Sequence, residues 1–187
     1  MGGPQRILDT IVVETIVRPR RAADLDTAAR VLVEVHAHDG YPVEGVADPL
    51  AWLQPRSLIC AWVAELKGEV VGHVALSAPT AGDHAVQLLR ELTSRDDREL
   101  AVLGRLFVRP AARRRSIGEA LVRTTMDDAA RRGLELVLDV MSKDAAAIRL
   151  DERLGWQRIG TATHTVGHGR QIEALCYRVP SRAGVVG

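Results

Sequence analysis

Hydrophobic and polar positions along this chain follow two periods, and the points where one gives way to the other set the predicted elements. The run "TIVVETIV" (10–17) is rich in β-branched residues and reads as a strand. "AADLDTAARVLVEVH" then places Leu25, Ala28, Ala29, Leu32 and Val35 on one helical face. Gly40, Pro42, Gly45 and Pro49 make 37–49 a loop. "SLICAWVAEL" (57–66) and "EVVGHVALS" (69–77) read as a hairpin around Lys67-Gly68. An insertion (78–98) carries a short helix from Asp83 to Leu92, and "ELAVLGRLFV" (99–108) is a strand that runs into Pro110. "SIGEALVRTTMDDAARRG" has helical period and a capping Gly133. A strand (134–140) follows, then a short helix between Asp144 and Gly155. Two last strands, "WQRIGTATHTV" and "IEALCYRV", flank the turn "GHGR". Residues 1–9 and 181–187 read as flexible tails, leaving one domain over 10–180. The order β-α-loop-β-β-β-α-β-α-β-β predicts a single α/β domain with a mixed central sheet flanked by helices.

Composition narrows the partners. The chain has 187 residues, room for one real core, and its aromatics are only 3%, so that core is Val, Leu, Ile and Ala. A formal net charge of +1 counts against a nucleic-acid partner. No apolar run reaches the ~20 residues of a membrane span, and Met1 to Arg6 has no apolar leader character. Cys60 and Cys176 sit apart in apolar stretches and read as reduced core thiols, so a cytoplasmic setting is expected. The sequence holds no GxxxxGK[ST], no GxGxxG after a strand and no GxSxG. His164 and His168 are four apart, but that spacing aligns two ligands only on a helix, and Gly167 and the β-rich context oppose one. No metal site is expected there.

The remaining chemistry lies in "RPAARRRSIGEAL" (109–121). A strand, a tight turn and a helix start aim backbone N–H groups at one spot, and the helix dipole adds roughly half a positive charge. Ser116 and Gly118 are small enough for a phosphate to approach the backbone, and the arginines add forked donors. Locally, a pyrophosphate cradle and a solvated charged loop are equally open readings.

The wider pattern resembles a known family. "LFVRPAARRRSIGEAL" followed by "LVLDVMSKDAAAIRLDERLGW" is similar to the GNAT superfamily of acetyl-CoA-dependent N-acetyltransferases. There a strand ending V-x-P leads into [QR]xxGx[GA] and a helix. Arg113-x-x-Ser116-x-Gly118 matches, with serine for the first glycine and Arg114 where glycine is common. "LDERLGW" stands where the family ends its second signature in "LYERLGF". The resemblance covers roughly 10–180 and implies a GNAT-type fold that uses acetyl-CoA as co-substrate. It implies that the backbone of Leu106, Phe107 and Val108 pairs with the pantetheine arm. Arg113, Arg114, Arg115, Ser116, Ile117 and Gly118 would hold the pyrophosphate, and Asp144 takes the place of an asparagine that contacts the arm.

Two family residues are missing. The tyrosine that protonates the leaving thiolate is Asp151 here, which reads as a surface or capping carboxylate. The glutamate of the central strand is Val102, which leaves His73 and Glu99 as candidate bases. His36, His38, Asp39, Tyr41 and Glu44 give the acceptor loop a polar, partly acidic character that suits a small cationic amine: an amino sugar, polyamine or amino acid. Two alternatives stand beside that reading: a non-catalytic acyl-CoA-binding module, and acylation of a peptide or protein amine. A homodimer is compatible with it.

Overall fold

The computed structural model describes residues 14–93, 96–166 and 169–179. The expected tails, the first residues of the opening strand and His168 lie outside the described residues. The elements are β1 (Thr15–Pro19), α1 (Leu25–Asp39), α2 (Pro49–Leu53), β2 (Leu58–Leu66), β3 (Glu69–Ser77), α3 (His84–Leu92), β4 (Leu100–Val108), α4 (Ile117–Arg131), β5 (Glu135–Met141), α5 (Ala145–Arg153), β6 (Gln157–Val166) and β7 (Arg170–Val179). They build a seven-stranded sheet in the order β1-β2-β3-β4-β5-β7-β6. Only β4 and β5 run parallel. The expected α/β architecture is the observed one.

Alternate strand residues show which helices cover which face. Leu136, Leu138, Ala101 and Leu103 pack with Ile117, Leu121 and Val122 of α4. Their neighbours Val137, Leu100 and Val102 pack instead under Ala85, Val86 and Leu89 of α3. Phe107, Val63 and Val70 meet Val31, Leu32 and Val35 of α1. So α1, α2 and α3 share one face, and α4 and α5 take the other. No helix among the described residues is long and apolar enough to cross a membrane.

Two differences from the predicted elements have local causes. Helix α1 continues past His36 to Asp39, because Gly40 closes it in a left-handed conformation (φ 71°) with its N–H on the His36 carbonyl. Helix α2 lies where the turn residues conceal a helix. Asp48 caps it by accepting from the Ala51 N–H at 2.9 Å, Pro49 fits the first position, and Leu53 is fully buried.

Close approach of α4 to the sheet depends on Gly72 in β3. A Cβ there would lie 3.1 Å from Leu121 Cδ1 and 3.2 Å from the Phe107 carbonyl oxygen, and the second of these is backbone that cannot step aside. At Gly118, near the start of α4, a Cβ would find Leu150 Cδ2 at 3.7 Å and Val108 Cγ2 at 3.9 Å, ordinary contact. Gly72→Ala should therefore cost about 1–3 kcal/mol of stability in urea unfolding. Gly118→Ala should leave stability unchanged or raise it by up to ~1 kcal/mol.

Candidate active site

The parallel pair holds only at its start. Leu100, Ala101 and Val102 pair with Glu135, Leu136 and Val137, and then the strands part. The cause is in β4. Opposite β3, Phe107 pairs with His73 and Gly104 with Ala75, so β4 carries an extra residue between them. Arg105 takes it up with φ 55°, a left-handed backbone in mid-strand. The gap is a cleft of about 630 Å³. Its walls are Gly104, Arg105, Leu106 and Phe107 of β4, residues 138–141 of β5, Asp144 and Asp151 with residues 145–147 of α5, and Asp39, Tyr41 and Arg113. Beyond Val102, the edge of β4 toward this space has no strand partner among the described residues, which leaves room for an extended ligand to pair.

One end of the cleft meets the arginine loop. Arg114 (φ 62°) and Ser116 (φ 57°) both adopt the left-handed backbone that glycine would take at these places. The first helical bond runs from Ala120 N–H to the Ser116 carbonyl, so the N–H groups of Ile117, Gly118 and Glu119 precede the ladder. That is the geometry of an anion-binding nest at a helix start. Arg114 and Arg115 are exposed. Arg113 is committed elsewhere: its Nε donates to the Val108 carbonyl at 3.1 Å, and its guanidinium pairs with Asp39 at the end of α1. The Arg113 guanidinium holds the Asp39 carboxyl below its usual range. A Cβ at Gly118 would point toward Leu150 and Val108 in ordinary contact, so helix packing does not require its smallness. Asp144 precedes α5 on the cleft wall, and burial raises its carboxyl.

The two candidate bases lie outside the cleft. His73 is fully buried, its ring stacked on Phe107 with centroids 5.3 Å apart. Its Nδ1–H donates to the Arg105 carbonyl at 3.0 Å, and its Nε2 accepts from Arg20 at 3.0 Å. Burial pushes the imidazole down to about 4, and the Arg20 and Arg105 cations push the same way. A ring that already uses its basic nitrogen and resists a proton does not serve as base. Its strand partners Val63 and Phe107 pack with α1, so the ring faces that helix rather than the cleft. Glu99 is exposed in a 3₁₀ turn, Asp97–Glu99, before β4 and at the far end from the splay.

Asp151 reverses the expectation of a surface carboxylate. It is 3% exposed, and it lies on the cleft wall. Ile148, Leu150 and Leu154 turn this face of α5 into the core, and Tyr177 OH donates to Glu152 Oε1 at 3.0 Å beside it. Burial, reinforced by the neighbouring Glu152 charge, pushes Asp151 up to about 7.

The acceptor end contains residues the sequence did not single out. Arg105 lies 5.2 Å over the Trp52 ring, and its Nε donates to the Trp52 carbonyl at 2.6 Å. Tyr41 packs edge-on against Trp52, whose Nε1–H donates to Glu44 at 2.9 Å. Asp139 adds a carboxylate from β5. The bulge that brings Arg105 here has no signature in "AVLGRLFV" beyond Gly104.

His73 and Asp151 act on stability with opposite signs. Between about 4 and 6.5 the unfolded chain protonates His73 and the folded chain does not, so this group destabilises the fold as pH falls. Between 3.8 and about 7 the folded chain protonates Asp151 and the unfolded chain does not, so this group stabilises the fold as pH falls. The two slopes oppose one another between pH 4 and 6.5. Asp151→Asn removes one, so the variant's unfolding free energy should fall more steeply with acid than the parent's, by up to ~1.4 kcal/mol per pH unit. Chemical denaturation from pH 6.5 to 4.5 measures this, and parallel curves would refute it.

Comparison with known proteins agrees with this geometry. The model of the acetyltransferase (GNAT) family matches residues 26–156. Camello of Xenopus tropicalis is 34% identical over 100 residues, 53% of this chain and 39% of that protein. N-acetyltransferase family 8 member 3 of Mus musculus is 34% identical over 110 residues, 57% of this chain and 42% of that protein. The chain thus spans about two fifths of the length of the curated relatives it matches. Among solved structures, yncA of Salmonella typhimurium, determined with its cofactor acetyl-CoA, superposes with a TM-score of 0.71 at 20% identity, over 91% of this chain and 96% of that one. With the family's motif region lying on a splayed β4/β5 pair and a left-handed helix entry, the chain belongs to the GNAT acetyltransferase family.

Proposed function

We propose that this chain is an acetyl-CoA-dependent N-acetyltransferase that acetylates the primary amine of a small molecule bearing an acidic group. The observation that carries this reading is the cleft between β4 and β5, whose lining reaches Arg113, the residue just before the Arg114–Ser116 nest. In this reading acetyl-CoA places its pyrophosphate over the N–H groups from Arg114 to Gly118. Its arm lies along the free edge of Leu106, Phe107 and Val108, and its thioester reaches Asp151. The family match and the names of the mouse and frog relatives support an acetyl transfer.

The amine nitrogen attacks the thioester carbonyl, the C–S bond breaks, and the amine's proton passes to solvent water, which later returns a proton to Asp151. Asp151, still protonated up to about pH 7, supplies the proton for the departing sulfur. The aspartate thus performs the task that the family gives a tyrosine. On the acceptor side, Asp139 and Asp144 place carboxylates on the cleft wall that attract an ammonium group. Arg105 is half buried and holds its guanidinium in the cleft, where desolvation lowers its pKa. A carboxylate on the acceptor would compensate that cost through a forked pair. Amino acids meet both requirements, whereas polyamines meet only the first.

Three measurements test this. Acetyl-CoA should raise the melting temperature of the parent protein. Arg115→Glu should weaken binding by ~10-fold or more, and an equal thermal shift in both proteins would remove the cradle from the reading. In thiol-release assays a free amino acid should outperform its carboxamide by ~10-fold in kcat/KM, and Arg105→Gln should erase the difference. Asp151→Asn should lower kcat by ~100-fold, and parent activity should decline above pH 7. Acetyl-CoA binding without thiol release across the amine panel would instead make the chain a binding module.

A further inference from the structure

Three residues far apart in the chain converge beside the cleft. Helix α3 packs Ala85, Val86 and Leu89 onto β4, β5 and β7, which fixes its first residue, His84, over the sheet. The His84 and His164 rings meet edge to face with centroids 4.7 Å apart. His164 Nε2 lies 2.5 Å from Asp139 Oδ2. One ligand atom from each of His84, Asp139 and His164 lies within 4.8 Å of the others.

The hydrogen bonding around this group is incomplete. His84 Nδ1 and His164 Nε2 are shielded from solvent, and neither has a hydrogen-bond partner among the described residues. The short approach of His164 to Asp139 lacks the alignment of an N–H···O bond, so proximity alone does not satisfy the nitrogen. A buried polar atom without a partner costs about 1–3 kcal/mol, and two such atoms stand here beside one carboxylate. A cation that accepts the nitrogen lone pairs and neutralises the carboxylate would satisfy all three groups at once.

We propose that His84, Asp139 and His164 bind a divalent transition-metal ion of the zinc class, pinning the α3 insertion to the sheet at the edge of the cleft. Two imidazoles and one carboxylate suit zinc better than magnesium or calcium, which favour oxygen ligands. Zinc binds such ligands at about 2.0–2.2 Å, so the three atoms must adjust to roughly 3.3 Å apart around it, the close His164–Asp139 approach opening and the longer separations closing. Side-chain rotation supplies that adjustment. Three protein ligands leave a fourth position for water or an acceptor atom. Asp139 also lines the cleft, so this position adjoins the acceptor end. The site rests on residues outside the cofactor cradle, and its test needs no turnover.

The full chain is stripped with EDTA and titrated with Zn²⁺ alone by calorimetry and thermal unfolding. One zinc per chain should bind with a Kd of ~1 µM or tighter and raise the melting temperature. His84→Gln and His164→Gln should each weaken binding by at least ~10-fold, while far-UV circular dichroism confirms that they are folded. His38→Gln, which alters an exposed histidine at the end of α1, should bind zinc as the parent does. Absence of stoichiometric binding by the parent chain overturns the proposal whatever the variants do. So does binding that survives the paired His84→Gln, His164→Gln change, or that disappears in His38→Gln.

Discussion

A strand that carries one residue more than its partner must bend, and on its other side it loses register with whatever it was pairing. In β4 that residue is absorbed at Arg105, and the lost pairing is with β5. The bulge also inverts the alternation of faces. Ala101 and Leu103 look toward α4 before it, and Leu106 and Val108 do so after it. A single local irregularity thereby opens the cleft, directs Phe107 under α1 and sets the Arg105 guanidinium over Trp52. Helix α1, the nest and α5 occupy positions that follow from that parting of two strands.

Much of this was legible in the chain. Period-two and period-3.6 patterns located the strands and the longer helices, because those patterns report which side of an element is buried. The strand-turn-helix motif located the turn and helix start after β4, since its residues are contiguous. What was not legible depends on distant segments. His73 sits in an apolar strand, and nothing local says that its partners Val63 and Phe107 pack under α1. Asp151 stands in "LDERLG" among charged neighbours, yet Leu150, Leu154 and the Tyr177–Glu152 bond turn it inward. Trp52 was hidden in a helix too short to show a period. His84, Asp139 and His164 come from a helix and two strands, so no spacing in the sequence could join them.

Burial acts on His73 and Asp151 in the same physical way, with opposite chemical results. Both groups are kept neutral, because a low-dielectric surround disfavours whichever form is charged. For the histidine this removes its use as a base, since the neutral ring spends its lone pair on Arg20. For the aspartate it keeps the proton on the carboxyl, the form that the proposed mechanism uses. One principle, applied on the two faces of the sheet, holds one neutral group in the scaffold and another on the cleft wall.

Ser116 and Arg114 hold a backbone shape that most side chains avoid, at a cost of roughly 1–2 kcal/mol each. A glycine at either place would reach the shape easily and leave it as easily. With side chains present, alternative shapes of the loop are fewer, and the rest of the fold must impose the one that is seen. The ordering that a flexible loop would undergo when an anion arrives is thus completed earlier, when the chain folds. The nest spends stability in advance, and its N–H groups are aligned as soon as the chain has folded.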